Sequence, residues 1–143
     1  MALIHLVYMS SAVRWPDMDE LAELLHTAYE NNRALGITGL LLYRKATFLQ
    51  VLEGDEAAVR DVYARIQRDP RHTGLVKLID EPLASRQFPD WTGSFELDDP
   101  QGAPDPGIPG YIDVFSDSSR VLARVADPSS RTVRLLLNFI RRA

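Results

Sequence analysis

The sequence predicts an α+β sandwich, with two helices laid on one face of a five-stranded mixed sheet. Three observations carry this prediction. Short apolar runs have the alternation of strands, and amphipathic helical stretches follow the first and third of those runs. A chain of 143 residues with 45% hydrophobic content is also long enough to bury one substantial core.

Residues 3–9 read as the first strand, with Ile4, Leu6 and Tyr8 on one face and Leu3, His5, Val7 and Met9 on the other. Asp17 with Glu20 three positions later has the pattern of a capping box, and Leu21, Leu24, Leu25 and Ala28 follow at helical spacing. This helix runs to about Asn32, and Gly36 releases the chain. Residues 37–43 form the second expected strand, residues 44–47 a hairpin turn and residues 48–53 the third strand, ended by Gly54. Asp55 is the expected cap of a second helix that turns Val59, Val62, Tyr63 and Ile66 inward and stops at Pro70. A fourth strand near residues 75–80 and a fifth over residues 91–97 complete the sheet, with Pro82 and Pro89 bracketing the segment between them. The order is β-α-β-β-α-β plus one strand. Right-handed crossovers then place both helices on one face and the first and third strands at the centre, a ferredoxin-like arrangement.

Val7, Leu49 and Val51 make the opposite face apolar as well, so it needs a cover. Residues 100–110 have the Pro/Gly composition of a linker. Beyond them, residues 120–125 read as a short helical piece, Pro128 interrupts, and Val133, Leu136, Leu137 and Ile140 recur at i, i+3, i+4 and i+7. That stripe suits the bare sheet face of its own subunit or of a neighbour. The expected division is a sheet domain over 1–98, a linker over 99–119 and a helical cap over 120–143.

Composition narrows the function. The absence of cysteine excludes disulfides, thiolate nucleophiles, Cys-based zinc sites and light sensing through a thiol adduct. A net charge of −4 gives no footprint for nucleic acid or an anionic membrane, and no signal peptide or span-length apolar run is present, which points to the cytoplasm. His5, His26 and His72 are scattered without metal-ligand spacing, and there is no Ser-His-Asp pattern, P-loop or G-x-G-x-x-G.

Four polar or aromatic features stand out. Gln50 interrupts an apolar central strand, where an unpaired amide is costly, and Tyr8 on the neighbouring strand can reach it. The pattern alone favours a satisfied core pair over a functional site. Asn31 and Asn32 suit the edge of a heterocycle or the end of a helix. Arg65, Asp69, Arg71 and His72, with Ile66 among them, can meet phosphate, carbonyl and hydroxyl groups or simply pair with one another on a solvated surface. Trp91 is a core aromatic of the fifth strand or part of a site.

Five blocks, taken together, resemble the BLUF family of flavin-binding blue-light receptor domains over roughly residues 3–95. They are Leu6-Val7-Tyr8-Met9-Ser10; Asn31-Asn32 with Leu35-Gly36-Ile37-Thr38-Gly39-Leu40-Leu41; Phe48-Leu49-Gln50-Val51-Leu52-Glu53-Gly54; Asp69-Pro70-Arg71-His72; and Phe88-Pro89-Asp90-Trp91. The resemblance implies FAD, with FMN or riboflavin as alternatives, held with its ring between the two helices and walled by Leu24 and Ile66. Asn31 and Asn32 would bond the pyrimidine edge, and Arg65, Asp69, Arg71 and His72 would line the carbonyl and ribityl-phosphate end. Light would draw an electron and then a proton from Tyr8 by way of Gln50. Gln50 would be left rotated or tautomerised, with a new bond to the flavin carbonyl and a slightly red-shifted absorption. Such a domain is a light sensor rather than an enzyme, here expected without an attached catalytic output domain, acting as a homo-oligomer on an unidentified downstream protein. The competing readings are a flavin-dependent oxidoreductase on the same scaffold and a chromophore-free interaction domain. One departure is informative: after Trp91-Thr92 the family typically has Met, whereas this chain has Gly93-Ser94. The expectation is that Trp91 stays near the pocket and that recovery and output differ from the family norm.

Overall fold

In the computed structural model, which describes residues 2–14, 16–96, 111–115 and 117–141, alternation decides the face that each strand residue takes. The strands are β1 (Leu3–Ala12), β2 (Thr38–Arg44), β3 (Thr47–Asp55), β4 (His72–Leu83) and β5 (Trp91–Glu96). Helices α1 (Met18–Ala34) and α2 (Glu56–Arg68) form the crossovers, and α3 (Ser119–Leu122) and α4 (Arg131–Arg141) follow the sheet. The sheet order is β4-β1-β3-β2-β5. β1 is antiparallel to β3 and β4, β2 is antiparallel to β3, and β5 runs parallel to β2, which makes the sheet mixed as the sequence predicts.

Ile4, Leu6, Leu52 and Phe95 meet Leu21, Leu25 and Val59 of α1 and α2 in one core. On the other face Val7, Leu40, Leu42, Leu49 and Val51 meet Val114, Val121, Leu136 and Ile140. The C-terminal helices therefore cover the sheet of their own chain. In the expected stripe Val133, Leu136 and Ile140 are buried, while Leu137 is only half-buried and Thr132 joins the buried set.

The expected capping box is present: Glu20 N donates to Asp17 Oδ1 at 2.8 Å and Asp17 N to Glu20 Oε1 at 3.3 Å. Asp55, by contrast, occupies the N-cap position of α2 without a side-chain bond, and Glu56 N donates instead to the carbonyl of Ala2 at 2.9 Å. β1 extends past Met9 to Ala12 because β4 pairs along it as far as His72. β4 has 12 residues where about half as many were expected, and its register against β1 shifts twice. Pro82 lies inside it, tolerated because β4 is an edge strand. The linker expected over residues 100–110, and Leu97 of the fifth strand, lie outside the described residues. Of the stretch that follows, Ile112 N donates to Gly93 O at 2.9 Å and Val114 is fully buried.

The β2–β3 turn holds Lys45 and Ala46 at φ 47° and 62°, the left-handed pair that a two-residue hairpin needs. Neither residue is at home there. Replacing them together (Lys45→Asn with Ala46→Gly) is expected to stabilise the chain by about 1 kcal/mol and raise Tm by roughly 3 °C. A thermal scan with unchanged Tm would show that the turn carries no such strain.

Candidate functional site

Register builds the site. Tyr8 pairs directly with Gln50, Gln50 with Leu41, and Leu41 with Gly93, so these residues form one row across four strands on the helix-bearing face. The Tyr8 hydroxyl donates to Gln50 Oε1. Both residues are buried, Tyr8 at 1% and Gln50 at 5% exposure. Removal from water is the main reason the phenol's pKa is pushed far up, and the charges of Tyr63 and Asp69 add to it, so Tyr8 holds its proton throughout the physiological range. The Tyr63 ring lies 5.4 Å from that of Tyr8, and Lys77 Nζ stands 6.0 Å over Tyr63. Since Oε1 faces Tyr8, the Gln50 amide nitrogen is the end left without a hydrogen-bond partner among the described residues.

Beside this pair, α1 and α2 enclose a cavity of about 150 Å³. Leu24, Asn31 and Asn32 line it from α1, Arg65 and Ile66 from α2, and Asp69, Arg71 and His72 from the segment entering β4. Thr27, Ala28, Leu41 and Val62 line it too, and sequence reasoning did not name them as site residues. For the helix residues the signal was helical period: Thr27 and Ala28 stand three and four places after Leu24, and Val62 four before Ile66; Leu41 is placed by its pairing with Gln50.

Asn32 is 3% exposed, and its backbone carbonyl accepts from Leu35 N and Ile37 N at 3.1 and 2.8 Å. The carbonyl thus terminates the helix, and the carboxamide makes no hydrogen bond among the described residues. Asn31 is exposed at the rim. The arginines are already engaged. Arg65 donates to Asp61 at 2.7 Å, and Arg71 grips Asp69 through Nε and a terminal nitrogen at 3.0 and 2.6 Å. Those bonds from Arg71 hold the Asp69 carboxyl below the usual carboxylate range. His72 Nδ1 lies 3.1 Å from Ser10 Oγ, and its ring packs edge-on to Phe48. Burial lowers its pKa, partly opposed by Asp69, so the imidazole is neutral at pH 7.

Trp91 is not brought into this cavity. Its buried ring lines a separate cleft of about 610 Å³ with Tyr29, Arg33 and Arg86, and its Nε1 has no hydrogen-bond partner among the described residues. Gly93 faces α1, and the space a side chain would take is filled by Leu25: a Cβ on Gly93 would stand 2.5 Å from Leu25 Cδ1.

The residues fit a flavin. Apolar side chains on two facing helices match the faces of a planar ring, and the Asn32 carboxamide together with the amide nitrogen of Gln50 matches its polar edge. A second cavity of about 280 Å³ shares Leu24, Arg71 and His72 and leads on past Ala12 and Arg14, giving room for a side chain on the ring. Among the described residues no group of acidic, histidine or cysteine side chains is placed to hold a metal ion.

Comparison with known proteins agrees. A family model described as sensors of blue-light using FAD matches residues 3–94. The photoactivated adenylate cyclase subunit beta of Euglena longa is 40% identical over 91 residues, 63% of this chain and 11% of that protein. The blue light- and temperature-regulated antirepressor BluF of Escherichia coli K12 is 33% identical over 86 residues, 60% of this chain and 21% of that one. The chain spans about a tenth of the length of the cyclase relatives. Among solved structures, Klebsiella pneumoniae BlrP1 with FMN and cyclic diGMP superposes with a TM-score of 0.72 at 32% identity, covering 98% of this chain and 35% of that one. The BLUF structure of BlrP1 gives 0.71 at 32% identity, covering 99% and 91%. With the family model spanning more than half of its residues, the chain belongs to the BLUF family of flavin-using blue-light sensors.

Proposed function

We propose that this protein is a blue-light receptor whose photochemistry is carried by Tyr8 and Gln50, and that it signals by altering a protein–protein contact rather than by catalysis. The observation that supports this most directly is the buried Tyr8–Gln50 hydrogen bond with the free end of the amide beside the inter-helix cavity.

A flavin held there would supply, on absorbing blue light, a strong oxidant at the cavity edge, and Tyr8 would be the electron donor. Its phenol is neutral in the dark, and it becomes strongly acidic only once an electron has left. Gln50 Oε1 is already positioned to receive the proton. Once the electron and a proton had returned to Tyr8, a rotated or tautomerised Gln50 would remain, with the hydrogen-bonding character of its two ends exchanged and a different group presented to the cavity.

In this reading Leu24 and Ile66 wall the ring, Asn31 and Asn32 bond its pyrimidine edge, and Arg65, Asp69, Arg71 and His72 lie toward the tail. Any phosphate contact by the arginines requires that they leave Asp61 and Asp69. FAD is the flavin proposed, in keeping with the description of the family, although FMN is bound in a related structure. Trp91 acts from outside the cavity. We assign the sensor to residues 1–98, the linker to 99–119 and the output cap to 120–143, with a homo-oligomer and a downstream protein as partners in the cytoplasm. Among the described residues no helix is long and apolar enough to cross a membrane.

The first test is absorption spectroscopy of the purified protein before and after a blue flash. The flavin bands should shift red and relax in darkness, and Tyr8→Phe and Gln50→Leu should keep the flavin but lose the reversible shift. A normal photocycle in Tyr8→Phe would show that the roles are misassigned. The second test concerns Gly93. Gly93→Met alone collides with Leu25 and should cost about 1–3 kcal/mol of stability. Paired with Leu25→Ala it should fold and change the dark-recovery rate several-fold relative to Leu25→Ala alone. Equal recovery rates would show that the residue at position 93 has no part in setting recovery.

A further inference from the structure

Glu53 lies three positions beyond Gln50 on β3, on the opposite face of the sheet, and is fully buried. Most of that face is apolar, with Val7, Leu40, Leu42, Leu49 and Val51 at its centre. A carboxylate there is sustained only by full hydrogen bonding, and it has it. Oε2 accepts from His5 Nδ1 at 2.6 Å and from Gln87 N at 3.2 Å, and Oε1 accepts from Phe88 N at 2.7 Å.

Both sets of partners lead to α4. The far nitrogen of His5, Nε2, lies 2.6 Å from Thr132 Oγ1 in the first turn of that helix. The Gln87 side chain donates to Asp127 O at 2.6 Å and to Ser130 Oγ at 3.0 Å, and it accepts from Asp127 N at 3.0 Å. Ser130 Oγ in turn accepts from Val133 N. One carboxylate on the strand of Gln50 therefore holds the start of the C-terminal helix by two routes.

We propose that Glu53 is the positioning residue that couples β3 to α4, so that the state of Gln50 is read out as tighter or looser docking of the C-terminal helix. This rests on the photochemical reading above. Three residues of strand span roughly 10 Å and are stiff, so a change in the bonding of Gln50 that displaces β3 displaces the carboxylate with it. Helix α4 is only 11 residues long and depends on tertiary ties for its order, which makes its docking easy to bias.

The experiment is hydrogen–deuterium exchange of α4 in the full-length, flavin-loaded protein, in darkness and under blue light. Thr132→Val should keep the full red shift, raise dark exchange of α4 by roughly tenfold, and lose most of the light–dark difference that the wild type shows. Thr132→Ser, which keeps the hydroxyl, should restore that difference. Should Thr132→Val fail to fold, Gln87→Met, which removes the second route and leaves both backbone donors to Glu53, carries the same expectation. A light–dark difference that survives in the variants reduces the network to a structural staple and overturns the inference. A wild type that shifts red with α4 unresponsive also overturns it, while leaving the photochemical reading intact. A wild type without any red shift overturns that reading, and the inference falls with it.

Discussion

The arrangement depends on a single cross-strand pair. Tyr8 and Gln50 face one another because β1 and β3 are antiparallel neighbours in a fixed register, and a slip by one residue would send either side chain to the other face. Because both faces of the sheet are apolar, hydrophobicity alone does not fix the register. The polar pairs do, since a slip would break Tyr8–Gln50 on one face and His5–Glu53 on the other and leave buried polar groups unpaired. Burial then gives the contact its chemical character, by keeping the phenol protonated and leaving the amide one defined partner.

Around this pair the helices act as walls rather than as sources of chemistry. Leu24 and Ala28 on α1 and Val62 and Ile66 on α2 line the cavity together, and the helices add only a few polar side chains to it, Thr27, Asn31, Asn32 and Arg65. Asn32 shows how the chain separates two duties that its position combines. The backbone carbonyl ends the helix, and the side chain is left to the cavity.

Much of this was legible in the sequence because it follows from local periodicity. The capping box at Asp17, the hairpin, the facing of Tyr8 and Gln50 and the cover provided by Leu136 and Ile140 are all consequences of spacing. What was not legible depends on distant partners. β4 is long because it follows β1 through two register shifts, which strand propensity does not encode. Asp55 makes no side-chain cap, and Glu56 N bonds instead to Ala2, which is distant in sequence but adjoins the β1 residue paired with Asp55. Arg65 and Arg71 have found carboxylates, Trp91 has settled in a different cleft, and Leu25 has occupied the space above Gly93. His5 and Glu53 looked unrelated because 48 residues separate them, and the residue that joins them to the cap lies nearly at the other end of the chain.

The placement of Tyr63 has a consequence for photostability. A second phenol so near the first offers an escape route for the oxidising equivalent, which could migrate toward the solvent and be lost to side reactions. In the proposed photochemistry the ammonium of Lys77 over that ring, itself paired with Asp80 at 2.8 Å, would add a small bias against oxidising Tyr63. The vacancy would then stay on the inner tyrosine, where charge return would regenerate the resting chromophore.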